Sequence, residues 1–243
     1  MEENKKYILS TRPLDEPLIS RAAGSRIIIH SHSFIYTEPI INDQLQQEII
    51  DASEKPLTVV FTSMNAAEAV GCCLAGKNTR WTIFCLGTAT RKTVEMHFGN
   101  GPIAGIASNA SDLAQEIINK NVESVVFFCG DQRRDELPDK LAAYNIQVHE
   151  VVVYKTLQIP KQVERDYDGI LFFSPSAVES FFSSNTVSGD TIMFAIGTTT
   201  AESIRQFTNN MVVESDFPGK ANLVEKAISY LDKSNQTNDH IKE

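Results

Sequence analysis

One half-domain is written twice in this chain. The stretch "VVFTSMNAAEAV" (Val59 to Val70), followed by "TIFCLGTATRKTVEMHFG", returns as "ILFFSPSAVESFF" (Ile170 to Phe182), followed by "TIMFAIGTTTAESIRQF". Ser63 stands 24 positions before Gly87 and Ser174 stands 23 before Gly197, so order and spacing repeat together. Further on, "ASNASDLAQEII" pairs with "FPGKANLVEKAI". Each copy alternates short apolar, β-branched runs with segments whose apolar residues fall at i, i+3, i+4 and i+7. That alternation predicts an α/β protein with mostly parallel sheets.

Ten strand-like runs lie near residues 6–11, 26–30, 57–62, 81–86, 103–107, 123–128, 146–153, 168–173, 191–196 and 211–215, enough for two five-stranded sheets. Helical patterns fill the gaps, as in "DQLQQEIIDA", "SDLAQEIINK" and "KANLVEKAISYLDK". The remaining strands pair as well: "YILSTRPLDEPL" leading to "SFIYTEPI" resembles "VFFCGDQRRDELPDKL" leading to "VVVYKTLQI". One lobe is therefore expected from consecutive strands within 40–152. The other combines 1–35 with 156–232, as a circularly permuted arrangement of the same unit. The chain crosses between lobes at 34–41 and 151–158, each crossing carries a Tyr, and the unpatterned tail 233–243 is expected to be mobile.

Composition narrows the function. A formal charge of -9 argues against nucleic acid or an anionic membrane as partner, because both require a basic face. No apolar run approaches the roughly 20 residues of a membrane span. The charged start "MEENKKYILS" does not read as a signal peptide, so the expected compartment is the cytoplasm. Cys72, Cys73, Cys85 and Cys129 adjoin apolar segments without a CxxC pair, and the five histidines are scattered. They are expected to be reduced core thiols, with no metal site.

In parallel sheets ligands bind beyond the carboxyl ends of the strands, where helices present free amides. Four polar turns fall there: Thr62-Ser63, Thr88 to Thr90, Ser174 to Ser176 and Thr198 to Thr200. Taken singly they read as helix starts, and Asn65-x-x-Glu68, Ser176-x-x-Glu179 and Thr199-x-x-Glu202 have the form of capping boxes. Taken together, on matching edges of two lobes, they predict a cleft whose amides and hydroxyls hold several carboxylates or phosphates. No GxSxG elbow, Walker lysine loop or GxGxxG competes, and Ser174 has no plausible His base. Asp131, Asp135 and Glu136 read as a solvated helix start beside Arg133 and Arg134. Tyr36 reads as a packing residue, whereas Tyr154 has the better case for facing the cleft.

In their order and spacing, "STRP", "FTSMNA", "GTAT", "CGDQRRDELP", "VYKT", "FFSPSAVESFF" and "AIGTTTA" resemble the uroporphyrinogen-III synthase family over nearly the whole chain. The resemblance implies two flavodoxin-like lobes joined by a two-stranded linker, a cofactor-independent lyase, and hydroxymethylbilane, with its eight carboxylates, as substrate. Loss of the terminal hydroxyl as water would give an azafulvene, and closure through a spiro intermediate would invert the last pyrrole. Family analogy makes Tyr154 the catalytic candidate that assists the leaving hydroxyl. Thr62, Ser63, Thr90, Ser174, Ser176, Thr199 and Thr200 match family positions that bind carboxylates, and Arg12 in "STRP" matches one near the same cleft. Two departures stand out: "GTTTA" lacks the proline that often follows the glycine, and Arg91 occupies a place where a small residue is common. A monomer is the expected state. A non-catalytic ligand-sensing module and a two-lobed glycosyltransferase are the competing readings. The second lacks a diphosphate-binding glycine loop.

Overall fold

The computed structural model describes residues 5–217 and 219–239, with side chains through residue 232. The chain runs through β1 (Lys6–Ser10), α1 (Glu16–Gly24), β2 (Ile27–Ser31), β3 (Ile35–Pro39), α2 (Asp43–Ser53), β4 (Thr58–Phe61), α3 (Met64–Leu74) and β5 (Thr82–Leu86). Next come α4 (Gly87–Phe98), β6 (Ile103–Ala107), α5 (Ala110–Ile118), β7 (Ser124–Gly130), α6 (Glu136–Ala143) and the long β8 (Gln147–Gln158). It closes with β9 (Gly169–Phe172), α7 (Pro175–Phe182), β10 (Ile192–Ala195), α8 (Thr198–Arg205), β11 (Val212–Glu214) and α9 (Lys220–Asp239). Two compact units result. One comprises the chain up to Tyr36 together with Leu157 onward, and the other spans Thr37–Thr156.

The first unit holds a five-stranded sheet in the order β11-β10-β9-β1-β2, parallel throughout. Numbered along the chain within the unit, this is 2-1-3-4-5, the flavodoxin-like order. The second sheet runs β3-β8-β7-β4-β5-β6, parallel from β8 to β6. Counted from β4, its five parallel strands have the order 3-2-1-4-5; counted from β7, they recover 2-1-3-4-5. The two units are thus related by circular permutation, and the consecutive unit is the permuted one, the reverse of the sequence expectation. A second correction concerns strand number. The linker strand expected at 34–41 is present as Ile35–Pro39 and lies beside β8, but it joins the sheet as an edge strand, so this sheet has six strands rather than five.

Parallel strands buried on both faces need apolar residues at successive positions, and period-2 alternation then sorts them into two cores. Val59 and Phe61 of β4 pack with Ile83, Cys85 and Phe128 on one face, while Val60 packs with Phe84, Phe127 and Cys129 on the other. The first unit repeats the device. Ile8, Leu171 and Phe194 face α9, and Leu9, Ile170, Phe172 and Met193 face α7 and α8. Each fully buried side chain of this size contributes about 1.5–3 kcal/mol. The last helix continues to Asp239, through part of the segment expected to be a mobile tail, and residues 240–243 of that segment lie outside the described residues.

Helices α3 and α4 pack closely because Gly71 has no side chain. A Cβ there would lie 2.3 Å from Cγ and 2.6 Å from Cβ of His97. The second atom is close to the backbone, so α4 would have to shift. Gly71→Ala is expected to cost about 1–3 kcal/mol by overpacking. Chemical denaturation of the variant checks this, and an unchanged midpoint would contradict the close-approach account.

Candidate functional site

Each sheet has one place where the chain leaves adjacent strands in opposite directions, and a crevice opens there beyond the carboxyl ends. In the unit Thr37–Thr156, α3 follows β4 toward β5 while α6 follows β7 toward β8. In the other unit, α7 follows β9 toward β10 while α1 follows β1 toward β2. The residues that end β4 and β9 are Thr62-Ser63 and Phe173-Ser174, so topology alone selects the two repeated turns.

Ser63 and Ser174 cap their helices. The Oγ of Ser63 accepts from the Asn65 N–H at 3.2 Å, and that of Ser174 accepts from the Ala177 N–H at 3.2 Å, with Pro175 at the first helical position. These caps lie two residues before the capping-box positions expected at Asn65 and Ser176. Similarly, α8 starts at Thr198 after Gly197, and not from Thr199. Ser176 is buried in the first turn, with its Oγ 3.2 Å from that of Ser174.

The glycine-threonine turns differ from the serine turns in kind. Neither Leu86 before α4 nor Gly197 before α8 supplies a capping side chain, so the leading amides of both helices remain available to an anion. Both turns share one exposure pattern: Thr88 and Thr199 are exposed, while Thr90 and Thr200 are buried at 4% and 2%. At these turns the accessible donors are the backbone amides and the outer hydroxyls.

Tyr154 sits on β8 at the permuted unit's crevice. The β7–β8 register shifts between Cys129, paired with Val152, and Gly130, paired with Tyr154. That extra β8 residue is a bulge that re-aims the strand end. Asp131 fixes it, donating its N–H to the Tyr154 carbonyl at 3.1 Å and accepting the Thr156 N–H at 2.9 Å on its carboxylate. The phenol crosses Gly130 and donates to Ser63 Oγ at 3.1 Å. Burial raises the Tyr154 pKa above its ordinary value of 10.0; the hydrogen bond to Ser63 opposes the shift without cancelling it. The phenol therefore stays a donor well past neutrality.

The equivalent crevice of the other unit is built differently. Thr11 pins the "STRP" turn to β9, with its N–H and Oγ both donating to the Leu171 carbonyl, at 3.0 and 2.8 Å. Ser10 Oγ donates to the Arg12 carbonyl at 2.6 Å. The exposed Arg12 guanidinium lies 5.6 Å from the Phe173 ring centre, beside Ser174. The structure thus joins Arg12 with Ser174 and Ser176 in one unit, and Tyr154 with Thr62 and Ser63 in the other. Sequence reasoning took Asp131 for a solvated helix start and did not single out Gly130; the "CGD" run carried both.

A cavity of about 470 Å³ lies beside Tyr154 within the permuted unit, between α3 and the chain around β3. Cys72 lines it and is exposed, which corrects the expectation of four core thiols. Cys85 and Cys129 are core residues whose thiols burial pushes up to about 11. Among the described residues no cluster of His, Cys, Asp or Glu could hold a metal ion.

A methyl group at position 130 would fall 2.4 Å from Cζ and 2.7 Å from the hydroxyl of Tyr154. The ring can swing away, so Gly130→Ala is expected to fold normally yet separate Tyr154 from Ser63. Its kinetic effect should equal that of Tyr154→Phe, and the double variant should be no worse than either single one. Additive losses would contradict this coupling.

The family model described as Uroporphyrinogen-III synthase HemD matches residues 20–225. Among solved structures, a uroporphyrinogen-III synthetase from Helicobacter pylori is 16% identical, with a TM-score of 0.64, covering 93% of this chain and 99% of its own. A mutant uroporphyrinogen III synthase from Thermus thermophilus is 12% identical, with a TM-score of 0.62, covering 95% and 99%. At these identities the two structures speak for the fold. A search of curated proteins returned no match. With most of its length matched by that family model, the chain belongs to the uroporphyrinogen-III synthase family.

Proposed function

We propose that this protein cyclises hydroxymethylbilane to uroporphyrinogen III with loss of water, inverting the last pyrrole through a spiro intermediate, and that Tyr154 assists departure of the hydroxyl. The supporting observation is the Tyr154 phenol, held across Gly130 onto Ser63 at the carboxyl edge of its sheet. A phenol kept protonated by burial suits a donor whose hydrogen bond strengthens as charge develops on the leaving oxygen. When the C–O bond breaks, the electron pair goes to oxygen, which leaves as water with the phenol proton. The phenolate recovers a proton when the last ring regains aromaticity.

The remaining task is geometric, since bilane closing end to end gives the wrong isomer. The uncapped amides of α4 and α8, the outer threonine hydroxyls and Arg12 suit the substrate carboxylates, which an acidic chain must hold by local donors. In this reading Thr62, Ser63, Ser174 and Thr199 contribute hydroxyls. Thr90, Ser176 and Thr200 support the turns from beneath. The expected cleft between the lobes, a monomer, a cytoplasmic location and the absence of cofactor and nucleic acid belong to the same proposal. Among the described residues no helix is long and apolar enough to cross a membrane.

Supplied with hydroxymethylbilane, the protein should yield uroporphyrinogen III, read by oxidising the product and separating porphyrin isomers. Isomer I alone, as in an enzyme-free blank, would overturn the reading. Tyr154→Phe should lower kcat by about tenfold to hundredfold, short of full loss, with KM little changed. Because the phenol pKa is raised, its neutral donor form persists upward in pH. The alkaline loss of kcat due to Tyr154 should therefore appear only above about pH 10 and vanish in the Phe variant.

A further inference from the structure

Helix α3 has two different faces. Ala66, Ala67, Ala69, Val70, Gly71 and Leu74 are buried, whereas Asn65, Glu68 and Cys72, spaced i, i+3 and i+7, are not; with the edge of Ala69 they form one wall of the cavity beside Tyr154. Pro39, Ile41 and Tyr154 line it as well. Its volume of about 470 Å³ falls within the range of small-molecule sites.

Glu68 is the only acidic group lining this cavity among the described residues; its carboxylate is exposed to solvent and takes no hydrogen bond or ion pair from them. With Ser63 as the cap, Glu68 lies five positions into α3, too far to cap the helix. Neither the helix nor the core requires its charge. A carboxylate here repels the acid side chains of a polyanion, so the group that docks against it must present an N–H. Pro39, Ile41, Ala69 and Cys72 offer apolar surface to a flat ring, with the polar Thr37 and Gln46 beside them.

We infer that this cavity seats the hydroxymethyl-bearing pyrrole of the substrate and that the Glu68 carboxylate accepts the ring N–H, an inference that rests on the cyclisation proposed above. When the hydroxyl leaves with its electron pair, the positive charge spreads onto the ring nitrogen. The hydrogen bond to Glu68 then strengthens between ground state and transition state, the condition for raising kcat. Tyr154 supplies the proton that leaves in water, while Glu68 remains a carboxylate throughout and only opposes the developing charge.

The test is steady-state kinetics with hydroxymethylbilane and isomer analysis, on the full chain. Glu68→Gln keeps the shape and an acceptor oxygen but removes the charge. It should lower kcat about tenfold or more with KM unchanged or lower, and Glu68→Asp should restore part of the loss. Cys72→Phe, introduced from an exposed position, should fill the cavity and raise KM about tenfold. A Gln variant with wild-type kcat, or a Phe variant with wild-type KM, overturns the inference. If the wild-type protein makes isomer III while these variants match it, this inference alone fails. If the wild type makes only isomer I, the cyclisation reading fails instead.

Discussion

A parallel sheet covered by helices on both faces can place polar chemistry only beyond its strand ends. The polar turns of this chain follow from that constraint. The strand interiors are committed to burial: Val59, Val60 and Phe61 are fully buried in succession, and so are Leu171 and Phe172. The first residues free of that demand are Thr62 and Phe173, and serine follows each. The repeated turns are therefore polar for the same reason that the strands before them are not. Capping is their structural duty, and it aims a hydroxyl and the first helical amides at the crevice that the topology opens.

Much of this was legible in the sequence because apolar period and repeat order are long-range signals, insensitive to errors at boundaries. The two sheets, the discontinuous first unit and the edge on which the polar turns lie all rest on such signals. What escaped depends on local geometry. The linker strand Ile35–Pro39 was expected, but not its place in the sheet: it mixes half-buried and exposed residues and lacks the continuous apolar run that marks a sheet strand. The capping boxes at Asn65, Ser176 and Thr199 were out of place because S-x-x-E and its variants also occur just inside a helix that starts at an earlier residue. Ser63 and Ser174, each ending a strand, were the stronger candidates.

The sequence singled out Tyr154, but not its mount. A bulge leaves no compositional mark, and a glycine at a strand end reads as a turn former. Only the geometry shows that Gly130 is there to let a ring pass over it. Asp131 was misread for a related reason. In "GDQRRDE" it has the look of a charge at a helix start, yet its carboxylate and amide both serve the backbone around Tyr154, and α6 begins only at Glu136.

The pseudo-symmetry of the two units makes their chemical difference informative. "STRP" follows β1 and "CGDQ" closes β7, so one crevice carries Arg12 and the other Asp131. A cation at a crevice would serve substrate carboxylates directly. An anion in the same place would repel them, unless its charge is already taken up by the protein's own N–H groups, and Asp131 is engaged in that way by Thr156. The same permuted unit leaves Glu68 without such a partner beside Tyr154. On the proposed reaction, one unit would bind negative side chains and the other would tolerate positive charge at a reacting carbon. A duplicated fold in which both crevices carried arginine could hold a polycarboxylate, but under the proposed mechanism it would disfavour a cation formed as the hydroxyl departs.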